Sequence, residues 1–124
     1  MIRRRFTKAQ RLLKRGEFDR LQKGSGTRKA GVANFLVLVV ASDLGRPRLG
    51  MIASRRVGSA VSRNRAKRLI RHFFRNRAEG LGSFDVVVVV KTGADTLTQT
   101  QADGQLATAF TRLGVLKMIK TEGR

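Results

Sequence analysis

The sequence predicts a two-layer α/β sandwich, and three observations predict it. Two short runs, Phe35 to Ala41 and residues 86–90, are nearly all apolar and rich in β-branched side chains, as strands covered on both faces are. Between them, at 3.6 residues per turn, Ala66, Leu69, Ile70, Phe73 and Phe74 gather on one side of a helix. Asn64, Arg68, Arg71 and Arg75 fall on the other. After the second run, Ala102, Leu106, Ala109, Phe110 and Leu113 recur at helical spacing. Strands interleaved with one-sided helices bury their apolar faces most simply as helices laid on a sheet. A chain of 124 residues fits a single domain, 1–124, with a core of its own.

Residues 1–15 read as a basic, extended arm. Residues 16–24 form a short helix, with Glu17 and Asp19 in the first turn where the helix dipole favours negative charge, stopped by Gly24-Ser25-Gly26. Gly45-Arg46-Pro47 turns the first apolar strand into residues 48–54, and these two segments are expected to form a hairpin. Ser59 or Ser62 can cap the basic helix, which runs to about Glu79 and is closed by Gly80-Leu81-Gly82. Residues 86–90 make a central strand, and a helix over 98–114 covers the sheet. Residues 118–124 are expected to fray. The order is helix, two or three strands, helix, strand, helix, with no internal repeat and no long linker.

A formal charge of +19, from 27 Lys and Arg against 8 Asp and Glu, repels itself unless a polyanion neutralises it, and nucleic acid is the commonest such partner. With no cysteine there is neither a disulfide framework nor a thiolate site. Neither apolar run approaches the roughly 18–20 residues that span a bilayer, so no membrane partner is expected. The N-terminal run has enough Arg to imitate a transit peptide, but it lacks Ser before residue 25 and the basic bias continues well beyond it.

Catalysis by the polypeptide alone is not expected. Metal-dependent nucleases need clustered carboxylates, and these eight acids are scattered; Glu17 and Asp19, two apart on a helix, point away from each other. His72 is the only histidine and sits at the boundary between the polar stripe and the apolar face, with no orienting carboxylate in view. No phosphate-binding glycine loop is present. Recognition remains. Arg offers planar bidentate donors for phosphate, and Asn64 between Arg63 and Arg65 adds an amide for a base edge or a 2′-hydroxyl. A merely solvated helix alternates its charges, whereas no acid lies between Asp43 and Glu79. Of the seven Phe, Phe73, Phe74 and Phe110 read as core; Phe18 and Phe35 read either as core or as part of a nucleic-acid groove. A ribosomal or ribosome-assembly protein would share this profile, as would a nucleoid-type DNA-binding protein.

The run Arg48-Leu49-Gly50-Met51-Ile52-Ala53-Ser54-Arg55-Arg56-Val57-Gly58, followed by Ala60-Val61-x-Arg63-Asn64-Arg65-x-Lys67-Arg68-Leu69-Ile70-Arg71, resembles the protein subunit of bacterial ribonuclease P. The likeness extends through Gly16-Glu17-Phe18, the Phe35 strand, residues 85–91 and the helix holding Leu106 and Phe110, about residues 8–115 in all. It implies a mixed four-stranded sheet in the order α-β-β-β-α-β-α, with a left-handed βαβ crossover. It also implies a cytoplasmic role assisting a catalytic RNA, itself holding Mg²⁺, in removing the 5′ leader of precursor tRNA; the protein alone would bind no cofactor. By position, Arg55, Arg56, Arg63, Asn64, Arg65, Lys67, Arg68 and Arg71 would meet RNA, while Phe18 and Lys91 would line a groove for the leader. Ser59 stands where that family usually has Asn, Gln22 where it has a second aromatic, and aliphatics where its first strand often has Tyr, so the groove should stack bases less well.

Overall fold

The computed structural model describes residues 26–41, 47–77 and 84–114. They form β1 (Arg28–Gly31), β2 (Phe35–Ala41), β3 (Arg48–Ile52), a 3-10 turn at Arg55–Val57, α1 (Ala60–Arg77), β4 (Phe84–Val90), a second 3-10 turn at Ala94–Thr96, and α2 (Gln99–Arg112). The arm, the helix expected over 16–24 with Phe18, and the tail lie outside the described residues.

The strands make one mixed sheet in the order β1-β2-β4-β3. β1 and β4 run antiparallel to β2 on either side, and β3 runs parallel to β4. The hairpin expected between β2 and residues 48–54 is therefore not formed, because β4 lies between the two strands. The reason is burial: Val86, Val87 and Val88 are all fully buried, so this strand needs cover on both faces and takes a central place, whereas β3, interrupted by Arg48 and Gly50, can serve as an edge. Parallel neighbours cannot be joined by a tight turn, and α1 lies in the connection from β3 to β4. β3 also stops at Ile52, short of the expected residue 54, since Ser54 is already capping the turn that follows.

Alternation along the two central strands feeds two apolar clusters. Phe35, Val37 and Val39 of β2 join Val86, Val88 and Val90 of β4 beneath the helices. Leu38 and Val87 face the other way, packed with Leu36, Val40, Ile52 and Val89. Phe35 is wholly buried, which settles its role as core. The face of α1 buries Ala66, Leu69, Ile70, Phe73 and Phe74, the five positions that its spacing predicts. Much of that face meets α2 as well as the sheet: the Phe73 and Phe110 rings stand edge to face, 5.2 Å between centroids at 85°.

α2 starts in a capping box in which the Thr98 hydroxyl accepts from the Gln101 amide and the Gln101 side chain accepts from the Thr98 amide. The expected start at residue 98 is thus the cap. Its core face carries Ala102, Leu106, Ala109 and Phe110, and its outer face is built from Gln, Thr, Gly104 and Asp103, with no cation before Arg112.

Candidate nucleic-acid interface

The approach to α1 is capped twice. The Ser54 hydroxyl accepts from the Arg56 amide at 3.3 Å, and the Ser59 hydroxyl accepts from the Ser62 amide at 3.2 Å, so Ser59 rather than Ser62 caps the helix. Between the caps the chain reverses at Gly58, whose φ of +140° disfavours a side chain and whose missing Cβ would lie 3.1 Å from that of Ser62. This tight entry leaves Arg55 and Arg56 exposed beside the first turn of α1.

Along α1, Asn64, Arg65 and Arg68 are exposed, while Arg63, Lys67, Arg71 and Arg75 are half-buried. Long cationic side chains can lie along a surface and still keep their charged heads in water. Among the described residues, the side chains of Arg55, Arg56, Arg63, Lys67 and Arg68 make no hydrogen bond or ion pair. His72 is half-buried, its Nε2 3.0 Å from Asn76 Nδ2, at the border where the spacing puts it.

Arg65 differs. Its Nε donates to the main-chain carbonyl of Asp95 at 2.7 Å and one terminal nitrogen donates to that of Leu97 at 3.1 Å, so the guanidinium straps α1 to the second 3-10 turn. Two fixed donors on one planar group match two fixed carbonyls, a geometry that an ammonium does not reproduce. Both Arg65→Ala and Arg65→Lys should therefore lower stability by about 1 kcal/mol, a few degrees in Tm. Arg63→Ala should leave the melt unmoved, and circular-dichroism melts of the three variants distinguish the strap from a free cation.

Because β3 and β4 are parallel, their C-terminal ends open side by side, a usual place for ligands in sheets with parallel strands. There Ser54, Arg56, Val57, Val90, Lys91 and Thr92 line a hollow of about 270 Å³. The structure thus brings together Arg56, from the expected RNA-binding set, and Lys91, from the expected leader groove. Lys91 also donates from Nζ to the Val32 carbonyl at 2.7 Å, which engages one of its three ammonium protons. Ser54 and Thr92 on this rim were not legible as site residues, since single hydroxyls after strands carry no pattern. Among the described residues no group of three or more His, Cys, Asp or Glu could hold a metal, and no helix is long and apolar enough to cross a membrane.

A helix rooted in the core on one side, with Arg63, Lys67 and Arg68 unpartnered among the described residues on the other, beside a hollow lined by Arg56, Lys91, Ser54 and Thr92, defines a nucleic-acid-binding protein. The family model for ribonuclease P matches residues 6–114, and the chain belongs to that ribonuclease P protein family. The Ribonuclease P protein component of Citrifermentans bemidjiense is 43% identical over 108 residues, which are 87% of this chain and 91% of that protein. The one from Pseudomonas aeruginosa is 35% identical over 114 residues, 91% of this chain and 84% of the other. The solved RNase P protein of Staphylococcus aureus is similar in fold at a TM-score of 0.81 and 27% identity, covering 89% of this chain and all of that one. The ribosomal reading is not favoured by these likenesses.

Proposed function

We propose that this chain is the RNA-binding subunit of a cytoplasmic ribonuclease P, and that it assists a catalytic RNA in cleaving the 5′ leader from precursor tRNA. The observation that carries the proposal is the acid-free outer face of α1, whose Arg63, Lys67 and Arg68 have no partner among the described residues. In this reading Arg55, Arg56, Arg63, Asn64, Arg65, Lys67, Arg68 and Arg71 form the contact with the catalytic RNA. Arg71 and Arg65 do so while also bonded within the protein. The hollow lined by Arg56 and Lys91 receives a leader phosphate, with the Ser54 and Thr92 hydroxyls as neutral donors, and Phe18 is assigned to the leader by the family resemblance alone. Mg²⁺ belongs to the RNA.

The physical effect of such a subunit is to screen phosphates where two RNAs must approach one another, work that Mg²⁺ otherwise does at higher concentration. Cleavage of a leader-bearing precursor tRNA by the matching catalytic RNA at low Mg²⁺ should be strongly stimulated by this protein, and the protein alone should cleave nothing. A folded protein that gives no stimulation would defeat the proposal.

A further inference from the structure

The segment carrying Lys91 and Thr92, both of which line the hollow, is held by the turn between β1 and β2, where the Lys91 ammonium meets the Val32 carbonyl and the main chain meets Asn34. All four polar groups of Asn34 are engaged. Its main-chain amide donates to Gln105 Oε1 at 2.8 Å, and its side-chain oxygen accepts from Gln105 Nε2 at 2.9 Å, a reciprocal pair that ties it to α2. Its side-chain nitrogen donates to the Thr92 carbonyl at 2.9 Å, and its own carbonyl accepts from the Lys91 amide at 2.9 Å.

The turn comes unusually close to this amide. At Gly93, with φ of +92°, a Cβ would lie 3.1 Å from Asn34 Nδ2, so glycine serves both the left-handed conformation and the close approach. The far end of the same turn, Ala94–Thr96, continues to the carbonyls held by Arg65. The Lys91 turn is thus pinned between α2 on one side and α1 on the other. A pair of hydrogen bonds from one amide to another fixes orientation as well as distance, which a single bond to a solvated loop would not do.

We propose that Asn34, oriented by Gln105, is a positioning residue for the leader: by holding the main chain at Lys91 and Thr92 it sets where Lys91 stands at the hollow, and so determines how much affinity Lys91 adds for a leader. This rests on the proposed function above. Neither Asn34 nor Gln105 is required to touch RNA. A site held within a fraction of an ångström by such supporting bonds loses affinity when they go, even though its own side chains remain.

The test compares the affinity of the assembled protein and catalytic RNA for a leader-bearing precursor tRNA with that for the same tRNA lacking its leader. Lys91→Ala should reduce the leader's contribution about threefold to tenfold, as expected for one charged contact. Asn34→Ala and Gln105→Ala should each give a similar reduction, and Asn34→Ala/Lys91→Ala should be no worse than Lys91→Ala alone. Affinity of the protein for the catalytic RNA should stay unchanged in all of them. Gln105→Ala, which removes only the side from α2, carries the test if Asn34→Ala fails to fold.

If Lys91→Ala lowers the leader's contribution while Asn34→Ala and Gln105→Ala leave it intact, or if the losses of Asn34→Ala and Lys91→Ala simply add, the positioning role is overturned and the proposed function stands. If the unmodified protein gives no preference for the leader at all, both fall together.

Discussion

Phe73→Asp should abolish folding. The ring is 1% exposed and packs edge to face on Phe110, so it joins α1 to α2 at the centre of the larger cluster. Loss of a buried aromatic costs about 3–5 kcal/mol, and an unpaired carboxylate in the same place adds several more. Their sum reaches the whole stability of a typical domain, about 5–15 kcal/mol. A far-ultraviolet spectrum without a cooperative melt is the expected result; a folded variant would mean that α1 does not face the core as described. Arg68→Ala, on the exposed face of the same helix, should melt like the parent. It should instead flatten the dependence of log affinity on log salt by about 0.7–0.9, the share of one neutralised phosphate.

Asp85→Ala should be nearly as damaging, although it removes a charge rather than adding one. Asp85 is 1% exposed and paired in register across the parallel strands with Arg48, itself 17% exposed. The pair is bidentate, Arg48 Nε donating to Oδ1 at 2.9 Å and NH2 to Oδ2 at 2.8 Å. Removing one partner leaves the other charge without its main compensation, at about 3–5 kcal/mol, whereas replacing both with apolar groups is often nearly neutral. Urea unfolding should therefore place Asp85→Ala far below the parent, with the double variant Arg48→Met/Asp85→Val recovering much of the loss. A double variant no better than the single would show that the pair holds the strands through something other than compensated charge.

The helix faces were legible in the sequence because periodicity is a local property: each of the five buried side chains of α1 is fixed by its spacing from the others. The pairing of the strands was not. That β4 inserts between β2 and β3 depends on which strand can bury both faces, a comparison across segments some fifty residues apart that no local pattern encodes. Asp85 at the head of an otherwise apolar strand was a usable sign, since a buried acid requires a partner, but Arg48 could be named only once the register was known. The candidate site divides in the same way. The cations of α1 could be found from charge and spacing. The bonds from Arg65 to the Asp95 and Leu97 carbonyls and the support of Lys91 by Asn34 arise only where distant turns meet.

The outer face of α2, with no Lys or Arg before its last residue, bears on how the protein meets its target. Among the described residues positive charge is dense along α1 and sparse along α2, so in the field of a polyanion these elements experience a torque as well as an attraction. Within about one Debye length, roughly 8–10 Å at ordinary salt, that torque would turn α1 toward such a polyanion before any atom touches. Collisions are thereby sorted by orientation, with α2 trailing, and raising the salt should blur the sorting as well as weaken the bond.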